Sequence, residues 1–132
     1  MFREDLDWKK LGEFLEIRFA KCDKVNTYVY GCSDGCESYS LSILLQSKFG
    51  KDAEKFFPII AKDIDEEKIS ENIRRQKEGC AKAELGYYQM RHRLELEEDE
   101  AKKYIKHAIE GVSNDLMLDK TTSPVKFSAA NI

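Results

Sequence analysis

The segment Thr27-Tyr28-Val29-Tyr30-Gly31-Cys32-Ser33-Asp34-Gly35-Cys36 constrains this chain more than any other. Four β-branched or aromatic residues read as a short buried strand. They run without a spacer into a turn with a glycine at each end, where the backbone can bend tightly and approach a ligand closely. From Cys36 to Phe49 apolar residues recur at helical spacing (Tyr39, Leu41, Ile43, Leu44, Leu45, Phe49), and Gly50 is placed to cap that helix. Such a succession aims the free N–H groups and the positive dipole end of the helix at whatever lies above the strand.

The rest of the pattern continues in kind. Residues 4–21 carry Leu6, Trp8, Leu11, Phe14, Leu15 and Phe19 at amphipathic spacing, which predicts a first helix with Trp8, Phe14 and Phe19 in the core or covering the sheet. Residues 56–61, with Pro58 near the start, predict a second strand that ends at Lys62-Asp63-Ile64-Asp65. Asp65 is an N-cap for a helix over 66–77 with Ile69 and Ile73 inward. Residues 79–98 are expected to be helical in part, and 99–110 to form a helix closed by Gly111. A short strand at 116–118, a turn at 121–124 and a last strand at 125–129 complete the reading. Strands separated by helices imply right-handed crossovers, hence an α/β fold with about three mostly parallel strands and flanking helices.

Composition narrows the function. A chain of 132 residues, 42% apolar and 36% charged, is one folded domain. Basic and acidic residues number 22 and 25, net −3, which excludes a generally basic nucleic-acid footprint; no nucleic-acid partner is expected. No apolar run approaches the ~20 residues of a membrane span, so membrane insertion is not expected. The acidic start has no secretory core, and the four cysteines read as reduced thiols in the cytoplasm. Cys32 and Cys36 lack a matching Cys/His pair, so no metal is expected. Tyr39 reads as packing. His92 and His107 lie in charged segments and read as exposed, with no visible partner; Tyr87 and Tyr88 are assigned no role.

Asp63 carries the second chemical signal. An acid at the end of the next strand can accept hydrogen bonds from both hydroxyls of a ribose. A dinucleotide fingerprint wants its acid ~20 residues beyond the glycines and a third glycine, and this chain offers neither. A nucleoside-type ligand without a pyrophosphate fits better than a nicotinamide dinucleotide. The same residues also make sense as a tight turn plus a capping carboxylate with no ligand at all.

Four motifs together resemble one family. Gly31-Cys32-Ser33-Asp34-Gly35-Cys36-Glu37-Ser38-Tyr39-Ser40-Leu41-Ser42 resembles the G-C-S-x-G-E-E-P-Y-S-L-A segment of CheR-type chemotaxis receptor methyltransferases. Ala61-Lys62-Asp63-Ile64-Asp65 resembles its A-T-D-I-D, Phe2-Arg3-Glu4 its F-F-R-E/D, and Val125-Lys126-Phe127 with Asn131-Ile132 its V-x-F…N-L strand. The motifs come in the family's order and cover nearly the whole chain. The resemblance implies a Rossmann-like methyltransferase half that binds S-adenosyl-L-methionine, and the methylation of glutamate side chains on chemoreceptors. It puts Arg3 near the methionine carboxylate, Gly31 and Gly35 in the turn under the methionine part, and Glu37 on the ligand's amino group. Asp63 falls on the ribose, and Asn131 and Ile132 beside the adenine. No catalytic residue is assigned.

The departures from the family are specific. Cys36 replaces a Glu, Ser38 a Pro, and Lys62 a small Thr or Ser. The family's C-R-N strand and the rest of its sheet do not follow residue 132, nor does its helical domain precede Phe2, so the chain reads as a single truncated domain over 1–132. A three-stranded sheet would expose its last strand as an edge, which implies pairing with a second copy or with a missing half. The alternative function is a non-catalytic, degenerate methyltransferase-like interaction module.

Overall fold

The computed structural model describes residues 1–83, 86–107 and 115–130; Asn131 and Ile132, two of the expected ligand residues, lie outside them. The elements are α1 (Trp8–Arg18), β1 (Thr27–Tyr30), α2 (Cys36–Phe49), a 3-10 turn (Gly50–Phe56), β2 (Ile59–Asp63), α3 (Glu66–Lys77), α4 (Gly86–Leu94), α5 (Glu98–Ala101), β3 (Ile105–Lys106), β4 (Leu116–Met117), α6 (Asp119–Thr122) and β5 (Val125–Ala129). β1, β2 and β5 form a parallel sheet in that order, with Thr27 opposite Ile59 and Ile59 opposite Val125. The expected α/β fold with three parallel strands is thereby present.

Local chemistry sets the boundaries. α1 is shorter at both ends than its apolar pattern, because the Asp7 carboxylate accepts the Lys10 N–H at 3.0 Å and starts the helix there. β2 begins at Ile59 rather than Phe56. Pro58 has no N–H for the ladder, and the first bond comes from Ile59 N–H to the Pro124 carbonyl at 2.8 Å. Asp65 caps α3 through the Lys68 N–H, as its position predicts. The helix expected over 99–110 stops at Ala101, and of that span 108–110, with the expected cap Gly111, lie outside the described residues. Tyr104 and Ile105 are buried, and Ile105–Lys106 pairs antiparallel with Leu116–Met117, so tertiary pairing wins over the helical pattern. The turn expected at 121–124 begins as a helical turn, α6, whose Thr121 and Thr122 are buried.

The sheet is covered on one face. Ile59, Ala61, Val125 and Phe127 share that face and are all buried. Two right-handed crossovers running in one direction put α2 and α3 on the same side, with α6 wedged between them. Ser42 and Gln46 of α2 donate to the Thr121 and Lys120 carbonyls, and Gln76 of α3 donates to those of Thr122 and Val125. The opposite face carries Tyr28 and Tyr30, 52% and 70% exposed and stacked at 6.1 Å, with Lys126 exposed and Ile60, Lys62 and Ser128 half-buried. Among the described residues β1 and β5 are the two sheet edges. Trp8 is buried, as expected of core; Phe14 is 58% exposed, because its side of α1 turns from the sheet to solvent. Among the described residues no helix is long and apolar enough to cross a membrane.

Candidate functional site

The C-terminal ends of β1 and β2 gather the chemistry, the end of the strands at which open α/β sheets bind ligands. The loop after β1 takes positive φ at alternate residues: Gly31 (67°), Ser33 (46°) and Gly35 (89°). Gly35 is required by space as well as by backbone. A Cβ there would lie 2.8 Å from Phe127 Cζ and 3.2 Å from Tyr39 Cε2. At Gly31 a Cβ would meet nothing within 4 Å, so the backbone there faces open space in which a ligand can lie against it.

Asp63 closes this loop onto β2. Its Oδ2 accepts the Ser33 N–H at 2.9 Å and its Oδ1 accepts the Asp65 N–H at 2.9 Å. The Asp65 and then the Ser33 amide hold the carboxyl below its ordinary range. Each carboxylate oxygen can accept a further bond, so the group stays anionic and can receive a vicinal pair of hydroxyls. Asn72, buried on α3, donates to the Ser33 carbonyl and fixes the next peptide of the loop. The Cys32 N–H donates to the Lys62 carbonyl at 3.1 Å, extending the β1–β2 pairing into the loop. Burial first, then the Asp63 charge, pushes the Cys32 thiol up to about 11.

Arg3 and Glu37 form the second half of the site. Phe2 has φ 52°, a conformation costing about 1–3 kcal/mol in a bulky residue. Its ring is buried edge-on against Trp8 at 5.1 Å, worth about 1.5–3 kcal/mol, which offsets the strain. The Phe2 N–H also donates to Ser40 Oγ at 3.1 Å, and the Trp8 indole N–H to the Arg3 carbonyl at 3.1 Å. The segment is thereby latched to α2, and Arg3 Nη1 reaches Glu37 Oε1 at 3.0 Å in the first helical turn. Beside the pair is a hollow of about 400 Å³ lined by Arg3, Asp5, Glu37, Trp8, Leu11 and Leu41.

Of the seven residues expected from the sequence, Gly31, Gly35, Glu37 and Asp63 stand at the β1–α2 and β2–α3 turns, and Arg3, before α1, is joined to them through Glu37. Sequence reasoning missed Ser33, whose αL backbone no glycine announces, and Asn72, a polar residue between Ile69 and Ile73 on the inward stripe of α3. It also missed Asp5, two residues after Arg3. His107 corrects the reading of an unpartnered side chain. Its Nδ1 is 2.9 Å from Asp115 Oδ1 and its Nε2 3.1 Å from Tyr88 Oη, and the ring stacks on Tyr87 at 4.4 Å. None of the four cysteines is in a disulfide, and no group of three or more His, Cys, Asp or Glu among the described residues could hold a metal ion.

The donor set fits an amino-acid nucleoside. Asp63 can take the ribose, the open backbone at Gly31 can lie under the linker, and Arg3 and Glu37 offer opposite charges to a zwitterionic end. The family described as "CheR methyltransferase, SAM binding domain" matches residues 1–132, the whole sequence. No curated protein matches the chain.

Proposed function

The chain belongs to the CheR methyltransferase SAM-binding domain family, and on that premise we propose that it serves the methylation of chemoreceptor glutamate side chains, binding S-adenosyl-L-methionine across the ends of β1 and β2. The observation that carries the reading is the double anchoring of Asp63. Two backbone amides hold a half-buried carboxylate at the mouth of a glycine loop whose Gly31 faces open space.

The roles follow from the groups present. Asp63 accepts the ribose hydroxyls, and Gly31 and Gly35 shape the backbone under the linker. Arg3 pairs with the ligand's carboxylate and Glu37 with its ammonium. Asn131 and Ile132 are assigned to the adenine by resemblance alone. S-adenosylmethionine supplies a sulfonium methyl whose leaving group is a neutral thioether. A glutamate carboxylate is already anionic, so no strong general base is needed from the protein. The chain's contribution is orientation and exclusion of water, the two effects that accelerate such a displacement. Arg3 and Glu37, set on the latched Phe2–Arg3 segment and on α2, fix the amino-acid end while Asp63 fixes the sugar, and together they define the line along which the acceptor must approach.

Titration calorimetry of the chain with S-adenosylmethionine and S-adenosylhomocysteine, beside an Asp63→Ala control, tests the reading. Binding that the control loses supports it. No binding up to millimolar ligand overturns it in favour of a non-catalytic interaction module.

A further inference from the structure

Arg3 is fixed from behind and contested in front. Its main chain is held by the buried Phe2 ring and by the Trp8 indole N–H on its carbonyl. Its side chain meets two carboxylates. Nε and Nη2 donate to Asp5 Oδ1 and Oδ2 at 3.1 and 2.8 Å, while Nη1 donates to Glu37 Oε1 at 3.0 Å. One cation thus stands between two anions.

An amino-acid end brings one carboxylate and one ammonium. Glu37 suits the ammonium. The Nε/Nη2 edge of a guanidinium is the fork that takes a carboxylate in two parallel bonds. In this structure Asp5 fills that fork with the same geometry. We propose that Asp5 is a built-in competitor for the ligand carboxylate, holding the Arg3 fork in the free protein and swinging out when an amino-acid end seats. The inference rests on the cofactor reading above.

The two sides of the pair are unequally supported, which decides which one moves. Asp5 lies in the turn before α1 with its side chain 70% exposed, so rotation of its side chain sends the carboxylate into water at little cost. The Arg3 guanidinium, 57% exposed, keeps its Nη1 bond to Glu37 Oε1 when Asp5 leaves, and its main chain stays held at Phe2 and Trp8. A ligand that has the nucleoside but lacks the carboxylate meets no competition at the fork. Asp5 therefore sets how strongly the site prefers a full amino-acid nucleoside over its truncated analogue.

The test is titration calorimetry of the whole chain, wild type and Asp5→Asn, with S-adenosylhomocysteine and with methylthioadenosine, which keeps the nucleoside and thioether but has no carboxylate. Removing an exposed charged competitor is expected to tighten S-adenosylhomocysteine by about two- to fivefold and to leave methylthioadenosine unchanged. Unchanged or weaker binding of S-adenosylhomocysteine by Asp5→Asn, or equal tightening of both ligands, overturns the inference and leaves the cofactor reading standing. If neither ligand binds either protein, the cofactor reading itself is overturned, and this inference with it.

Discussion

The backbone N–H of Ser33 donates to Asp63 Oδ2 across 2.9 Å, joining the loop after β1 to the end of β2 over 30 residues of sequence. The contact explains why Ser33 keeps a left-handed φ of 46° without being glycine: that conformation turns its amide toward the carboxylate. It also makes Asp63 serve the loop and the proposed ligand together. Asp63→Asn keeps the shape but removes the charge and one acceptor, so it is expected to weaken S-adenosylhomocysteine by about tenfold or more, in line with the loss of charge-assisted bonds. Calorimetry reads the loss, and circular dichroism establishes that the sheet remains.

The same carboxyl has a pH signature. Folding lowers its pKa below the ordinary 3.8, so its contribution to stability is fully present above that value and fades as the pH falls through the lower folded one. Melting temperatures of wild type and Asp63→Asn are expected to differ by a constant amount from pH 7 to 5 and to converge only in stronger acid.

Gly31 and Gly35 both hold positive φ, yet their substitutions should separate. Gly35→Ala drives a Cβ to 2.8 Å from Phe127 Cζ, adding overpacking of about 1–3 kcal/mol to about 1 kcal/mol of backbone strain. Gly31→Ala meets no atom within 4 Å and carries the strain of about 1 kcal/mol alone. Urea unfolding should show the larger loss at Gly35. Ligand titration should show the reverse priority at Gly31, where the new methyl enters the space assigned to the ligand while the fold persists.

Much of this arrangement was legible because its signals are local. The bounds of β1, α2, α3 and β5 follow from Gly31, Gly50, Asp65 and the turn at Pro124, each acting on its own neighbours. Arg3, Glu37 and Asp63 were legible by motif. The stretch from Lys102 to Lys106 was not, since β3 is two residues long and owes its existence to pairing with β4, the short strand that the sequence does announce at 116–118, rather than to periodicity. Asp5 and Asn72 escaped for a related reason. Each is polar and unremarkable in the chain, and acquires its role only when folding brings Arg3 to Glu37 and α3 to the loop at Ser33.

Cys32 offers a readout of how tightly the loop is closed. Its thiol is buried and pushed up from 9.0 to about 11, so little thiolate forms at pH 8 and iodoacetamide cannot reach it. Peptide mapping should find Cys32 the slowest of the four cysteines to alkylate, the other three being partly exposed. A raised thiol pKa means that the folded state holds its proton longer. The stabilisation is complete below about 9 and is lost as the pH rises to about 11. Cys32→Ala should abolish that alkaline loss. Asp63→Asn should reduce it, because the neighbouring carboxylate is the second cause of the shift.

Asp115 ties the insert between α3 and β5 together. Its side chain is 4% exposed, its Oδ2 accepts the Tyr87 N–H at 3.0 Å at the start of α4, and its Oδ1 faces His107 Nδ1 at 2.9 Å. Asp115→Ala strips a buried acceptor from both groups and should cost about 2–4 kcal/mol in urea unfolding, since charged hydrogen bonds and a buried unpaired donor are lost at once. His107→Phe retains the stack on Tyr87 but leaves Asp115 a partner short, and should fall between wild type and Asp115→Ala. If the two single losses and the double variant add without coupling, the pair is not the tie proposed. A coupling of about 1 kcal/mol in that cycle is the expected result.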